Sequence, residues 1–202
     1  MAKIKTSQKI LNCATRLFAQ FGYDGTIMDD LAEQCGVNKA SIYYHHKDKA
    51  TLYEHALTSL FTPIADAVIA AVETENDPVA KLDTHIKTFA KECNEKPHFA
   101  AILMREMASG GKNMPERARK QMQRILFTLR ETLQLGESTN KFKAADPLVT
   151  HFMIVGTLNL FVASIPLRKS LPQTDQNNPV QDPDIDSAAE QLAKTIITSL
   201  LK

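Results

Sequence analysis

Apolar residues recur at helical spacing along nearly the whole chain. Ile10, Leu11, Ala14, Leu17, Phe18 and Phe21 form one such stripe, which Thr6 or Ser7 can cap and Gly22 can stop. Thr26 with Asp29 three residues on is a capping-box variant that opens a short helix through Leu31, Ala32 and Cys35, and Gly36 ends it. Asn38 can cap a third helix over Ala40 to His45. Asp48 can cap a fourth, running past Leu52, Ala56, Leu60 and Ile64 to about Val72. Further on, Pro78, Pro97, Pro115 and Pro147 each stand where a helix can begin, since proline lacks the N–H that a first turn leaves unpaired. Gly110-Gly111 and Gly136 read as stops. The stretch 166–183, rich in Pro, Gln, Asn and Asp, reads as a loop, and Ile185, Ala189, Leu192, Ile196 and Leu200 mark a last helix. No alternating β-branched run calls for a strand. The expectation is an all-α fold of about nine helices.

Within that pattern, Thr26 to Lys49 carries the functional information. Two short helices joined through Cys35-Gly36-Val37-Asn38 match the helix-turn-helix plan, with Val37 and Ile42 pinning the second helix on the first. Lys39, Ala40, Ser41, Tyr44 and His45 then fall on the outer face and start of the second helix, the end that enters a DNA major groove. Lys39 can donate to guanine O6 and N7, and Ser41 can bond to most base edges or touch a thymine methyl. Tyr43, His45 and Lys49 have the reach for phosphate oxygens, which orient a protein on DNA while base contacts specify the sequence. The alternative is a packed helix pair that never meets DNA.

The same residues resemble the signature of the tetracycline-repressor (TetR) family of bacterial regulators. Thr26, Leu31-Ala32, Gly36-Val37, Ile42-Tyr43, His45 and Lys49 stand at the matching positions, within a match spanning residues 7 to 57. Ala40 departs from a common Gly, Cys35 from a common Ala, and His46 from a common core Phe. A buried imidazole at that last position needs a partner. The resemblance implies a helix-turn-helix head over residues 1–50, including Thr26 at the start of its second helix. It also implies a body over 51–202 that encloses an effector cavity and dimerises through its last two long helices.

Charge adds little. The net charge is +1, with seven Lys/Arg against five Asp/Glu in residues 1–50 and seventeen against eighteen thereafter. That asymmetry supports a DNA-binding head only in company with the motif. Cys13, Cys35 and Cys93 form no CxxC pair and no zinc pattern, so neither metal nor cofactor is expected. The chain shows no secretory signal. Its longest uncharged apolar run, Phe152 to Leu167, is shorter than the roughly 20 residues that span a bilayer, and it contains Gly156, Asn159 and Pro166. A cytoplasmic protein without a membrane partner is expected.

In the body, Phe61, Phe89, Met104, Met107, Phe127 and Phe152 are candidates to line a cavity for an apolar or aromatic small molecule, with ordinary core packing as the alternative for each. His85, His98 and His151 can orient such a ligand. Asp146 to Leu167 and Ile185 to Leu201 carry more apolar residues than one buried stripe needs, which suits a homodimer interface. The leading expectation is a ligand-responsive repressor that binds a palindromic operator as a dimer, an effector tilting the fourth helix. A regulator controlled by a protein partner, without a small ligand, is the alternative. A helical interaction module or an enzyme is more distant, since no Ser/His/Asp elbow, phosphate loop or HExxH pattern occurs.

Overall fold

The computed structural model describes residues 5–170 and 182–202, and it is helical with no strand among them. Ten helices follow in order: α1 Thr6–Gly25, α2 Met28–Cys35, α3 Lys39–His46, α4 Lys49–Glu73, α5 Pro78–Glu95, α6 Pro97–Ala108, α7 Glu116–Ser138, α8 Pro147–Ala163, α9 Ile165–Ser170 and α10 Ile185–Leu200. The extra element relative to the expected nine is α9, six residues at the front of the stretch expected to be a loop. The part of that stretch over 171–181 lies outside the described residues.

Local chemistry sets most boundaries. Asn38 accepts the Ser41 amide, Asp48 the Thr51 amide, Asp77 the Val79 and Ala80 amides, and Asp146 the Val149 amide, so four starts are capped by short polar side chains. Gly36 ends α2 at φ 60, ψ 46, and Gly110 and Gly111 end α6 at φ 71 and 70. Between α3 and α4 only Lys47 and Asp48 intervene, and Lys47 takes φ 60, so the two helices are joined by a tight two-residue turn.

Three expectations fail for reasons of packing. Thr26 does not cap α2: Ile27 holds that position, and the Thr26 hydroxyl donates instead to the Gly22 carbonyl at 2.8 Å. Lys5, rather than Thr6 or Ser7, stands at the N-cap of α1, with no side-chain bond. Gly136 lies inside α7, where a Cβ would overlap the ring of Phe142, so that ring's close approach and not a chain stop requires glycine. Gly22, at φ 73, does break α1, and a last short turn follows to Gly25.

Helices α1 to α3 pack on one another and α1 packs along α4; α5 is flanked by α4, α7, α8 and α10. Buried Ile10, Leu17, Phe18, Leu31 and Ile42 of the head share one core with Leu52, Ala56, Phe61 and Ile64 of α4. The core therefore runs unbroken from the helix-turn-helix into the body. Helix α4 is long and apolar enough by composition to cross a bilayer, and its apolar residues are accounted for by this core. Helix α6 also packs directly on α1.

Candidate functional site

The second helix of the helix-turn-helix presents a polar, aromatic surface. Ile42 is fully buried and Val37 half-buried, which holds α3 on the head and turns Lys39, Ala40, Tyr43, Tyr44 and His45 outward. Tyr44 is 86% exposed and stacks edge-on against His45 at 5.0 Å, an aromatic tip with no support from the core. Ser41 is half-buried in the first turn. Lys39 reaches back to Asp29 of α2 at 2.8 Å, and this hydrogen-bonded carboxylate holds its ammonium above the usual lysine range. Both partners are exposed, so the pair is weak and a stronger anion can displace it.

Two candidates sit differently from the rest. Thr26 is buried, its hydroxyl committed to Gly22, so it shapes the turn before α2 and offers a neighbouring molecule nothing but its backbone. Lys49, at the first turn of α4, lies half-buried with Nζ 4.6 Å from the centre of the Tyr23 ring, and burial pulls its pKa below the usual lysine value. Tyr23 in turn lies 5.0 Å from Tyr53, and Tyr53 meets Phe18 edge-on at 4.7 Å.

His46, the imidazole at a phenylalanine position, finds its partners. It is buried, with Nδ1 3.0 Å from His55 Nδ1 and Nε2 3.4 Å from the Ser7 carbonyl. A carbonyl only accepts, so Nε2 carries the proton, and His55 must donate to His46 Nδ1. Burial above all, and then the nearby His55 and His45, keep the His46 pKa low despite the Ser7 carbonyl. The His46–His55 pair ties α3 to α4 where a phenylalanine would only pack.

A second site opens in the body. Helices α6, α7 and α8 border a pocket of about 200 Å³, open on one side, lined by Leu103, Met104, Met107, Met122, Gln123, Leu126, Leu148, His151, Phe152, Val155, Gly156 and Asn159. Met104, Met107 and Phe152 from the sequence candidates meet there. Phe61 and Phe89 do not: both are buried against Phe99, at 4.7 and 6.1 Å between ring centres, as core. Phe127 faces outward beneath the Arg130 guanidinium, 4.8 Å away. Helix α4, expected to feel the effector directly, contributes no lining residue.

Helix α6 joins the pocket to the head, which sequence reasoning missed. Next in sequence to Met104, the Arg105 guanidinium donates to the carbonyls of Ala19 and Gln20, at 3.0 and 2.5 Å. They lie in the last full turn before the break at Gly22, where a cation is favoured by the helix dipole. Next to it, Glu106 is buried and accepts the Tyr53 hydroxyl of α4 at 2.6 Å, while its other oxygen has no partner. Burial and this carboxylate push the Tyr53 phenol far above its usual pKa, so it stays a donor. After α6, Lys112 pairs with Asp24 at 2.7 Å. Cys93 is fully buried and burial pushes its thiol up, which removes the thiolate that redox chemistry would need. Among the described residues no three His, Cys, Asp or Glu side chains gather to hold a metal ion.

Comparison with known proteins decides the family. Residues 10–56 match the family model described as bacterial regulatory proteins, tetR family, and residues 75–162 match that of the tetracyclin repressor-like C-terminal domain. The chain belongs to the TetR family. The relatives that it matches are helix-turn-helix transcriptional regulators. The HTH-type transcriptional regulator YhgD of Bacillus subtilis (strain 168) is 30% identical over 164 residues, 80% of this chain and 83% of YhgD. The negative regulator IcaR of the Staphylococcus aureus biofilm operon icaADBC is 31% identical over 88 residues, and this chain spans only 47% of its length. Among solved structures, FadR of Bacillus subtilis in complex with stearoyl-CoA superposes with a TM-score of 0.73 at 16% identity, covering 95% of this chain and 98% of FadR, a likeness of fold.

Proposed function

We propose that this TetR-family regulator is a cytoplasmic repressor without enzymatic activity, and that it binds a palindromic operator as a homodimer and releases it when a small molecule occupies the body pocket. A functional division near residue 50 follows: a DNA-reading head, and a body that senses and dimerises. Lys39, Ser41, Tyr44 and His45 meet base edges, Ala40 lets the helix approach closely, and Tyr43 and Lys49 meet phosphates. Thr26 supports them from beneath through the turn it holds.

One observation carries the sensing half. Helix α6 lines the pocket with Leu103, Met104 and Met107, and from the same turns Arg105 and Glu106 grip α1 of the head and α4, the helix that follows it. A ligand that shifts α6 therefore pulls at both helices that seat α3. The shift in operator affinity is set by the ligand's preference between the two head placements. FadR, of the same fold, is a regulator whose structure contains stearoyl-CoA, which supports a ligand-binding body.

The dimer is supported by α8, which is apolar on every side. Val149, Phe152, Met153 and Leu160 on α8 and Leu167 on α9 stay between 43% and 61% exposed, a row that a monomer leaves in water. Pairing it with a second copy covers the row and sets two heads at the roughly 34–36 Å that successive major grooves require. Selection from a random duplex library tests this reading. The full chain should enrich a palindrome with that half-site separation and bind it more weakly as salt rises. A chain that enriches no duplex over the library would sink the repressor reading.

A further inference from the structure

The pocket's polar side chains are few: Gln123 is exposed, whereas His151 and Asn159 are buried, each with one unpartnered atom, and these two restrict what can fill its deep end. Asn159 is 1% exposed, and its Nδ2 donates to the Val155 carbonyl at 2.8 Å. A carbonyl cannot donate, so this bond fixes which way the amide faces. Its Oδ1 is left buried with no hydrogen-bond partner among the described residues. Two turns earlier on the same stripe, His151 is also buried, with Nδ1 unpartnered, and burial keeps its imidazole neutral. His85, wholly buried and pushed down to about 3 by burial and by proximity to His151, adds no charge behind it. No charged side chain lines the pocket.

Size narrows the choice further. A cavity of roughly 150 Å³ holds benzene, so about 200 Å³ suits one ring and a short tail. Gly156 keeps that space open: it sits inside α8, where glycine weakens a helix, yet a Cβ there would meet nothing within 4 Å. Packing within the chain does not require this glycine. Gly156 lines the pocket on the exposed side of α8, so a larger side chain there extends into open space.

Resting on the body as sensor, we propose that this pocket takes a small neutral effector of the alkylphenol type, apolar along its length, whose one hydroxyl donates to Asn159 Oδ1. The methionines and Phe152 wrap the ring and tail. A carboxylate or ammonium at the deep end would lose its water without any opposite charge to replace it, and an ether of the same bulk would leave the Asn159 oxygen stranded.

Calorimetric titration of the full chain with three matched probes tests the proposal: 4-propylphenol, its methyl ether 4-propylanisole, and 4-propylbenzoate. The phenol should bind, the ether at least tenfold more weakly, and the benzoate not measurably. Asn159→Leu should bring phenol and ether to equal affinity. Gly156→Leu, which fills open space and strengthens the helix, should abolish binding of both while the protein stays folded by circular dichroism. Equal affinities for phenol and ether in the wild type would overturn the proposal, as would a preference that survives Asn159→Leu. Binding untouched by Gly156→Leu would overturn it too, and so would failure of the phenol to bind at any soluble concentration, in which case water alone occupies the pocket. If the phenol binds as described and operator affinity does not move, the ligand class stands and the sensor reading fails.

Discussion

Tyr53→Phe removes one oxygen, and its consequences follow from where that oxygen points. The hydroxyl donates at 2.6 Å to Glu106 Oε1, both side chains are buried, and the second Glu106 oxygen has no partner. Without the hydroxyl, Glu106 loses the only side-chain hydrogen bond it makes among the described residues, inside the joint between α4 and α6. A hydrogen bond to a charged group contributes about 1.5–3 kcal/mol, and a stranded buried acceptor adds to the loss. The ring's contacts with Phe18 and Tyr23 survive the change, so packing costs little. Urea unfolding should therefore show a loss of about 2–3 kcal/mol, or roughly 4–12 °C in Tm for a chain of this size. The cycle with Glu106→Leu is the sharper part. In that background no acceptor remains to be stranded, so Tyr53→Phe should cost less than about 1 kcal/mol. A loss below about 0.5 kcal/mol in the wild type, or an equal loss in both backgrounds, would refute the claim that this pair clamps the joint.

Other consequences are simpler to state. Lys49→Ala should weaken binding to all duplexes alike and lower the salt slope by about 1, whereas Lys39→Ala should change base preference at one operator position at a cost of roughly 1–3 kcal/mol; binding-site selection with both variants separates the roles. Leu160→Asp, on the exposed row of α8, should give a folded monomer by light scattering, and a wild-type monomer at micromolar concentration would remove the dimer. Acid should destabilise the protein from about pH 6.5 downward. His85 is held neutral with its folded pKa near 3, so the unfolded chain, with a pKa of about 6.5, takes up the proton first. Stability is full above pH 6.5 and lost as the pH falls toward 3. At pH 5 that loss is about 2 kcal/mol from His85 alone, and His85→Leu should flatten the unfolding profile between pH 7 and 5.

Features written in short range were legible in the sequence. Asn38, Gly36 and Asp48 act within three or four residues of themselves, and the helix-turn-helix they delimit appears as read. Gly136 looked the same on paper but answers to Phe142, and Thr26 looked like a cap but answers to a carbonyl freed by the break at Gly22. The pocket was half visible. Residue type marks Phe61, Phe89, Met104, Met107 and Phe152 equally as apolar, and only the packing of α6 against α8 separates the two core rings from the three that border open space. Asn159 and Gly156 did stand out within an apolar run, yet as interruptions of a possible membrane span. That the amide has one satisfied side and one orphaned side is a fact of tertiary structure. Arg105 and Glu106 carry no local signal either, because their partners lie 85, 86 and 53 residues away.

The central claim is that occupancy of the α6–α8 pocket is transmitted to α3, and operator affinity with the pocket filled tests it most directly. Fluorescence anisotropy with the selected palindrome would compare the wild type, alone and saturated with 4-propylphenol, with Gly156→Leu, whose side chain stands in the ligand's place. The account predicts that the ligand weakens operator binding at least tenfold, that Gly156→Leu weakens it in the same direction, and that saturating operator weakens ligand binding by the same factor as ligand weakens operator. Operator affinity that stays constant with the pocket demonstrably full would contradict it.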